Sequence, residues 1–70
     1  MTDTARLEAI IEASGYKKKF LAQTLGIALS TLSRKINNVL DFNAREIQAL
    51  CRLLGIVKPE DVMAIFFVGE

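Results

Sequence analysis

Apolar side chains recur along this chain at helical spacing. Leu7, Ile10 and Ile11, then Leu21, Ala22 and Leu25, then Ile47, Leu50, Cys51 and Leu54 each fall on one helical face, and no stretch alternates apolar with polar residues as a strand would. The first helix is expected to begin near Thr2 to Thr4, where small oxygen-bearing side chains can cap free N–H groups, and to stop at Gly15. Lys18 to Leu25 reads as a short second helix closed by Gly26, and a third starts at Ala28 or Leu29 and ends near Asn37. After the connection NVLDF, Asn43 with Glu46 three residues on has the spacing of a capping box and opens a fourth helix, which Gly55 ends. Lys58-Pro59-Glu60-Asp61 is a further start signal, with Pro and two acids in a first turn; beyond it VMAIFF forms either a last short helix or a frayed extended tail. The predicted fold is all-α, a compact bundle of four to five short helices in one domain over residues 1–70, with no internal repeat or linker.

The third helix carries two patterns that ask for opposite surroundings. Leu29, Leu32 and Ile36 stand at i, i+3, i+7 as a buried stripe would, while Ser30, Ser33, Arg34 and Asn37 make a polar stripe beside it. Burying the first leaves the second facing outward, and its residue types are those that donate and accept hydrogen bonds.

Composition narrows what that stripe can serve. Half of the 70 residues (51%) are apolar, with four Gly and one Pro, which is a folding rather than a disordered composition. With one cysteine, Cys51, and no histidine, an intrachain disulfide, a His-containing zinc site and a His-based catalytic system are all excluded. Cys51 falls on the apolar face of the fourth helix, as a small core residue rather than a nucleophile, so neither an enzyme nor a cofactor is expected. The longest apolar run, VMAIFFV from Val62 to Val68, is far short of a membrane span, and an intracellular, reducing compartment is expected.

The net charge of +1 hides an uneven distribution. Residues 17–35 carry Lys17, Lys18, Lys19, Arg34 and Lys35 with no acid, whereas Asp3, Glu8 and Glu12 precede them and Asp41, Glu46, Glu60, Asp61 and Glu70 follow. A basic middle between acidic ends attracts a polyanion to one side of a nearly neutral molecule.

Two short helices joined by a tight glycine turn, the second amphipathic, form a helix-turn-helix candidate: Ala22 is small at the crossing, Gly26 opens the turn, and Ile27 and Leu32 plug the angle. FLAQTLGIALSTLSRKINN resembles the helix-turn-helix of the phage repressor and Cro-type (XRE-like) family of bacterial transcription regulators, and FNAREIQALCRLLGI resembles that family's next core helix. The likeness covers roughly residues 16–57, nearest to small phage-encoded members.

The resemblance implies a repressor or Cro-like switch protein in the bacterial cytosol, on the nucleoid, with residues 29–37 as a recognition helix in the major groove of double-stranded DNA. By position it makes Leu29, Ser30, Ser33 and Arg34 base readers and Lys18 and Asn37 phosphate contacts; Lys17, Lys19, Thr31, Lys35 and Asn38 join the phosphate set from the basic segment and its flanks. The chemistry agrees, since an arginine fork takes both acceptors of a guanine edge, a serine hydroxyl donates or accepts, and an apolar side chain meets a thymine methyl. Two departures stand out. Ala28 replaces the family's usual Ser or Thr, removing a side-chain cap from the third helix, and Lys35 occupies a place many relatives fill with an apolar residue, which shifts the apolar role to Ile36 and would rotate the helix.

Proteins of this kind pair to match two half-sites of a palindromic operator, so a homodimer through Val62, Ile65, Phe66, Phe67 and Val68 is expected; the alternative is that both rings close the core of the monomer. The competing function is a helical protein-interaction module, antitoxin- or antirepressor-like, that keeps the fold without binding DNA. No small-molecule ligand is evident.

Overall fold

Each helix starts and stops where local chemistry provides for its unpaired backbone groups. In the computed structural model, which describes residues 1–69, they are α1 (Thr4–Ser14), α2 (Lys18–Leu25), α3 (Leu29–Ile36), α4 (Ala44–Leu54) and α5 (Pro59–Phe66). Asp3 caps α1, its Oδ1 accepting from the Arg6 N–H at 3.0 Å. At α4 the capping box closes in both directions: the Glu46 N–H donates to Asn43 Oδ1 at 2.8 Å and the Asn43 N–H donates to Glu46 Oε1 at 2.9 Å. The segment after Pro59 is helix, not extended tail, with Glu60 and Asp61 at the positive end of its dipole.

The turn between α2 and α3 needs Gly26 at φ 72°, where an L side chain is strained, and Ile27 then donates its N–H back to the Ala22 carbonyl at 3.0 Å. The end of α3 solves the same problem without glycine. Asn38 takes φ 65°, while Val39 and Asn38 donate their N–H groups to the carbonyls of Arg34 (2.8 Å) and Lys35 (3.3 Å), the paired bonds of a Schellman motif.

One core joins all five helices. Leu7 and Ile11 from α1, Leu21 and Ala22 from α2, Leu32 and Ile36 from α3, Leu50 from α4, and Ile65 and Phe66 from α5 are buried together with Ile56. Helix α2 packs against α3 and α4, and α1 lies across α3, α4 and α5. Cys51 is half-buried against this cluster, and burial pushes its thiol pKa up, away from a reactive thiolate.

Two residues expected at a dimer interface belong to this core instead: Ile65 is 2% and Phe66 4% exposed. Phe66 meets Phe42 edge-on with centroids 5.6 Å apart, which fills the end of the small core, while its neighbour Phe67 points elsewhere and is only half-buried. Val62 is half-buried as well, and Val68 is exposed.

The N-terminal residues are built into the fold. The Asp3 N–H donates to the Ile65 carbonyl at 2.7 Å, the Val68 N–H donates to the Met1 carbonyl at 2.8 Å, and the Thr4 hydroxyl donates to the Ile36 carbonyl at 2.6 Å. Residues 1–4 thus lie between the C-terminal ends of α3 and α5.

Candidate nucleic-acid interface

Helix α3 separates its two stripes by rotation. At about 100° per residue, Leu29, Ser33, Asn37, Ser30 and Arg34 fall within an arc of about 140°, and Ile36 and Leu32 continue the circle beyond Leu29, about 20° and about 60° from it. Leu32 and Ile36 are 0% and 1% exposed, whereas Ser30, Ser33, Arg34 and Asn37 all face solvent. Leu29 departs from its place in the apolar stripe: it is 48% exposed, at the edge of the polar arc. Thr31 is half-buried at the flank of this arc. The Asn37 amide folds back to donate to the Ser33 carbonyl at 2.8 Å and leaves its oxygen outward.

The cations around this face divide by partner. Among the described residues, no acidic oxygen lies within 4 Å of Lys17, Lys19 or Arg34. Lys18 meets Glu8 of α1, its Nζ 2.8 Å from each carboxylate oxygen, with the two side chains 41% and 39% exposed. So open a pair is worth about 0–1 kcal/mol in water and yields readily to a competing anion.

Two expected phosphate contacts are otherwise engaged. Lys35 Nζ donates to both oxygens of Glu46, at 2.6 and 2.8 Å, with the side chains only 13% and 6% exposed. Its ammonium is therefore turned towards α4, about 100° around the helix from Arg34. Asn38 is committed at both ends of its amide: Oδ1 accepts the Thr2 N–H at 2.7 Å and Nδ2 donates to the Thr2 carbonyl at 2.9 Å. Lys35 and Asn38 share one feature, that each satisfies a buried or half-buried polar group of its own fold.

The absence of a side-chain cap at Ala28 is a feature of the site. Its backbone has the extended geometry of an N-cap (φ −69°, ψ 151°), but the N–H groups of the first turn of α3 meet no capping side chain. Helix α3 therefore begins with open N–H donors on the side of the molecule that carries Leu29 and Ser30.

Reading the sequence by segments missed two groups. Glu46 precedes Leu50 by one helical turn and so shares its buried face, a signal visible only when Glu46 is treated as part of the apolar stripe. Tyr16 and Phe20 also escaped notice: they stack with centroids 5.2 Å apart and stay 40% and 45% exposed, an apolar plate among Lys17, Lys18 and Lys19.

No helix among the described residues is long and apolar enough to cross a membrane. No curated protein and no solved structure is significantly similar to the chain. A family description does match, over residues 6–67, which takes in the whole of α2, α3 and α4 with the exposed face just described, and on that match the chain belongs to the Cro/C1-type helix-turn-helix DNA-binding domains.

Proposed function

We propose that the protein is a sequence-specific regulator of transcription of the phage or prophage repressor and Cro-like kind, acting on the bacterial nucleoid, with α3 as the helix that enters the major groove. The observation that carries this reading is the outward face of α3, where Leu29, Ser30, Ser33 and Arg34 are all unburied, together with the exposed cations Lys17 and Lys19, which have no acidic partner among the described residues. In it Arg34 takes a guanine edge, the serines adapt to donor or acceptor, and Leu29 meets a thymine methyl. Lys17, Lys18, Lys19, Thr31 and Asn37 hold the flanking phosphates, which position the helix without reading sequence.

The regulator acts as a homodimer. One chain measures 27 × 23 × 21 Å, less than the about 34 Å between successive major-groove faces on one side of a duplex, so a single copy spans one half-site. The surface that supports pairing runs along α4 and α5, where an apolar groove containing Val57 and Val62 and a more polar one containing Met1, Asp41 and Phe67 share Ile47. Val62, Phe67 and Val68 keep their part in this interface, whereas Ile65 and Phe66 act from beneath it as core.

Selection of binding sites from randomised duplexes, followed by salt titration on the selected site, tests the function. A defined, two-fold symmetric site is expected, with log affinity falling against log salt by about 0.9 for each phosphate neutralised. Absence of any preferred sequence together with a flat salt response would set the DNA reading aside in favour of a protein partner.

A further inference from the structure

Helix α3 is held unevenly. It has eight residues, no side-chain cap at its N-terminus, and two fully buried anchors, Leu32 and Ile36, one turn apart. Two apolar anchors in line fix how closely a helix packs but resist rotation about its own axis weakly, since dispersion contacts carry little direction. Rotation matters at this site. At a side-chain radius of about 6 Å, a turn of about 20° carries a group through about 2 Å, enough to break a hydrogen bond to a base edge.

What resists that rotation is polar: the Thr4 hydroxyl and the Asn38–Thr2 clasp hold the C-terminal end of α3, and one pair holds its body. Lys35 projects from the flank of α3 and both oxygens of Glu46 accept from its ammonium, at 2.6 and 2.8 Å. Glu46 is itself immobilised: it is 5% exposed, and its carboxylate and N–H both bond to Asn43 in the capping box that opens α4. The pair thus links the flank of α3 to the rigid first turn of α4. Stability alone is a poor reason for such a pair, because well-packed apolar residues of the same size often hold a shielded site as well or better. Direction is what charge-assisted hydrogen bonds add.

We infer that Lys35 and Glu46 are positioning residues for base reading: their pair sets the rotation of α3, and through it which base edge Arg34 and Ser33 address, without Lys35 touching DNA. The inference rests on α3 being the helix that reads the duplex.

The test compares wild type with Lys35→Met/Glu46→Gln, in which the methionine keeps the unbranched stem and the glutamine keeps an acceptor for the Asn43 N–H. On the site selected by wild type, the double variant should melt cooperatively and keep its salt slope, because no phosphate contact is lost. Its preference for that site over single-base variants should fall by about ten-fold. An unchanged preference would overturn the inference, as would a slope shallower by about one unit, which marks Lys35 as a phosphate contact. If the double variant does not fold, Glu46→Gln alone, which keeps ammonium and cap acceptor, is judged by the preference in the same way. If wild type selects no sequence, the DNA reading fails by itself. The pair is then judged by amide exchange in the free protein: exchange in α3 about ten-fold faster relative to α2 in the variant upholds the linkage, and equal exchange overturns it.

Discussion

Asn38 and Thr2 exchange two hydrogen bonds, the amide oxygen of Asn38 accepting the Thr2 N–H at 2.7 Å and its amide nitrogen donating to the Thr2 carbonyl at 2.9 Å. The same asparagine stands at φ 65° at the end of α3, so one residue both stops that helix and fastens the N-terminus to it. Thr2 is only 7% exposed, which leaves its backbone groups poorly served by water if the amide is removed. The two functions separate by substitution. Asn38→Gly keeps the backbone conformation and loses the clasp, at a cost of about 1–3 kcal/mol for the stranded groups. Asn38→Ala loses both and costs about 1–2 kcal/mol more, because an L residue with a β-carbon resists the left-handed region. Urea unfolding of the two variants checks the order; equal stability of Asn38→Gly and wild type would mean the clasp contributes nothing.

Ala28 offers a gain of the opposite sign. Its extended backbone is already that of an N-cap, and a serine there would accept from the N–H of Ser30 or Thr31. Ala28→Ser is expected to stabilise the protein by about 1 kcal/mol and to slow amide exchange in the first turn of α3. The denaturant slope should not change. A melting temperature equal to or below that of wild type counts against an open helix start.

Arg34 and Lys19 are both exposed cations without an acidic partner among the described residues, yet their substitutions should look different. Arg34→Ala should lose about 1–3 kcal/mol of binding at one base position and relax preference there. Lys19→Ala should weaken binding to every duplex alike and make the salt slope less negative by about one unit. Titrations against the selected site and a scrambled duplex at several salt concentrations distinguish the two, and identical signatures for both variants would contradict the assignment of α3 to the groove.

Phe66 and Val68 lie two residues apart on opposite sides of the boundary between core and surface. Phe66→Ala removes a ring that is 4% exposed and packed edge-on against Phe42, and should cost about 3–5 kcal/mol. In a domain this small that approaches the whole folding free energy, so the variant should be largely unfolded on warming. Val68→Asp changes a side chain that is 40% exposed and should leave the monomer's stability within about 0.5 kcal/mol while weakening self-association. Sedimentation at micromolar concentration reads the second effect; monomeric behaviour of wild type and variant alike would remove the dimer from the proposed function.

Local chemistry made the helices legible before any coordinates. Glycine at positions 15, 26 and 55, the Asn43–Glu46 capping pair and Pro59 with its acids are short-range signals, and each helix boundary they mark depends on bonds spanning a few residues. The amphipathic face of α3 was legible for the same reason, since helical spacing is a property of the chain alone. Contacts between segments distant in the chain were not. Lys35 looked like one more cation in a basic run until the fold brought Glu46 against it, and Asn38 looked like a surface amide until residues 1–4 were laid alongside it. The sorting of Phe66 inward, Phe67 half-way and Leu29 outward likewise followed from how much volume the assembled core had left to fill, a quantity shared by all five helices and written in none of them.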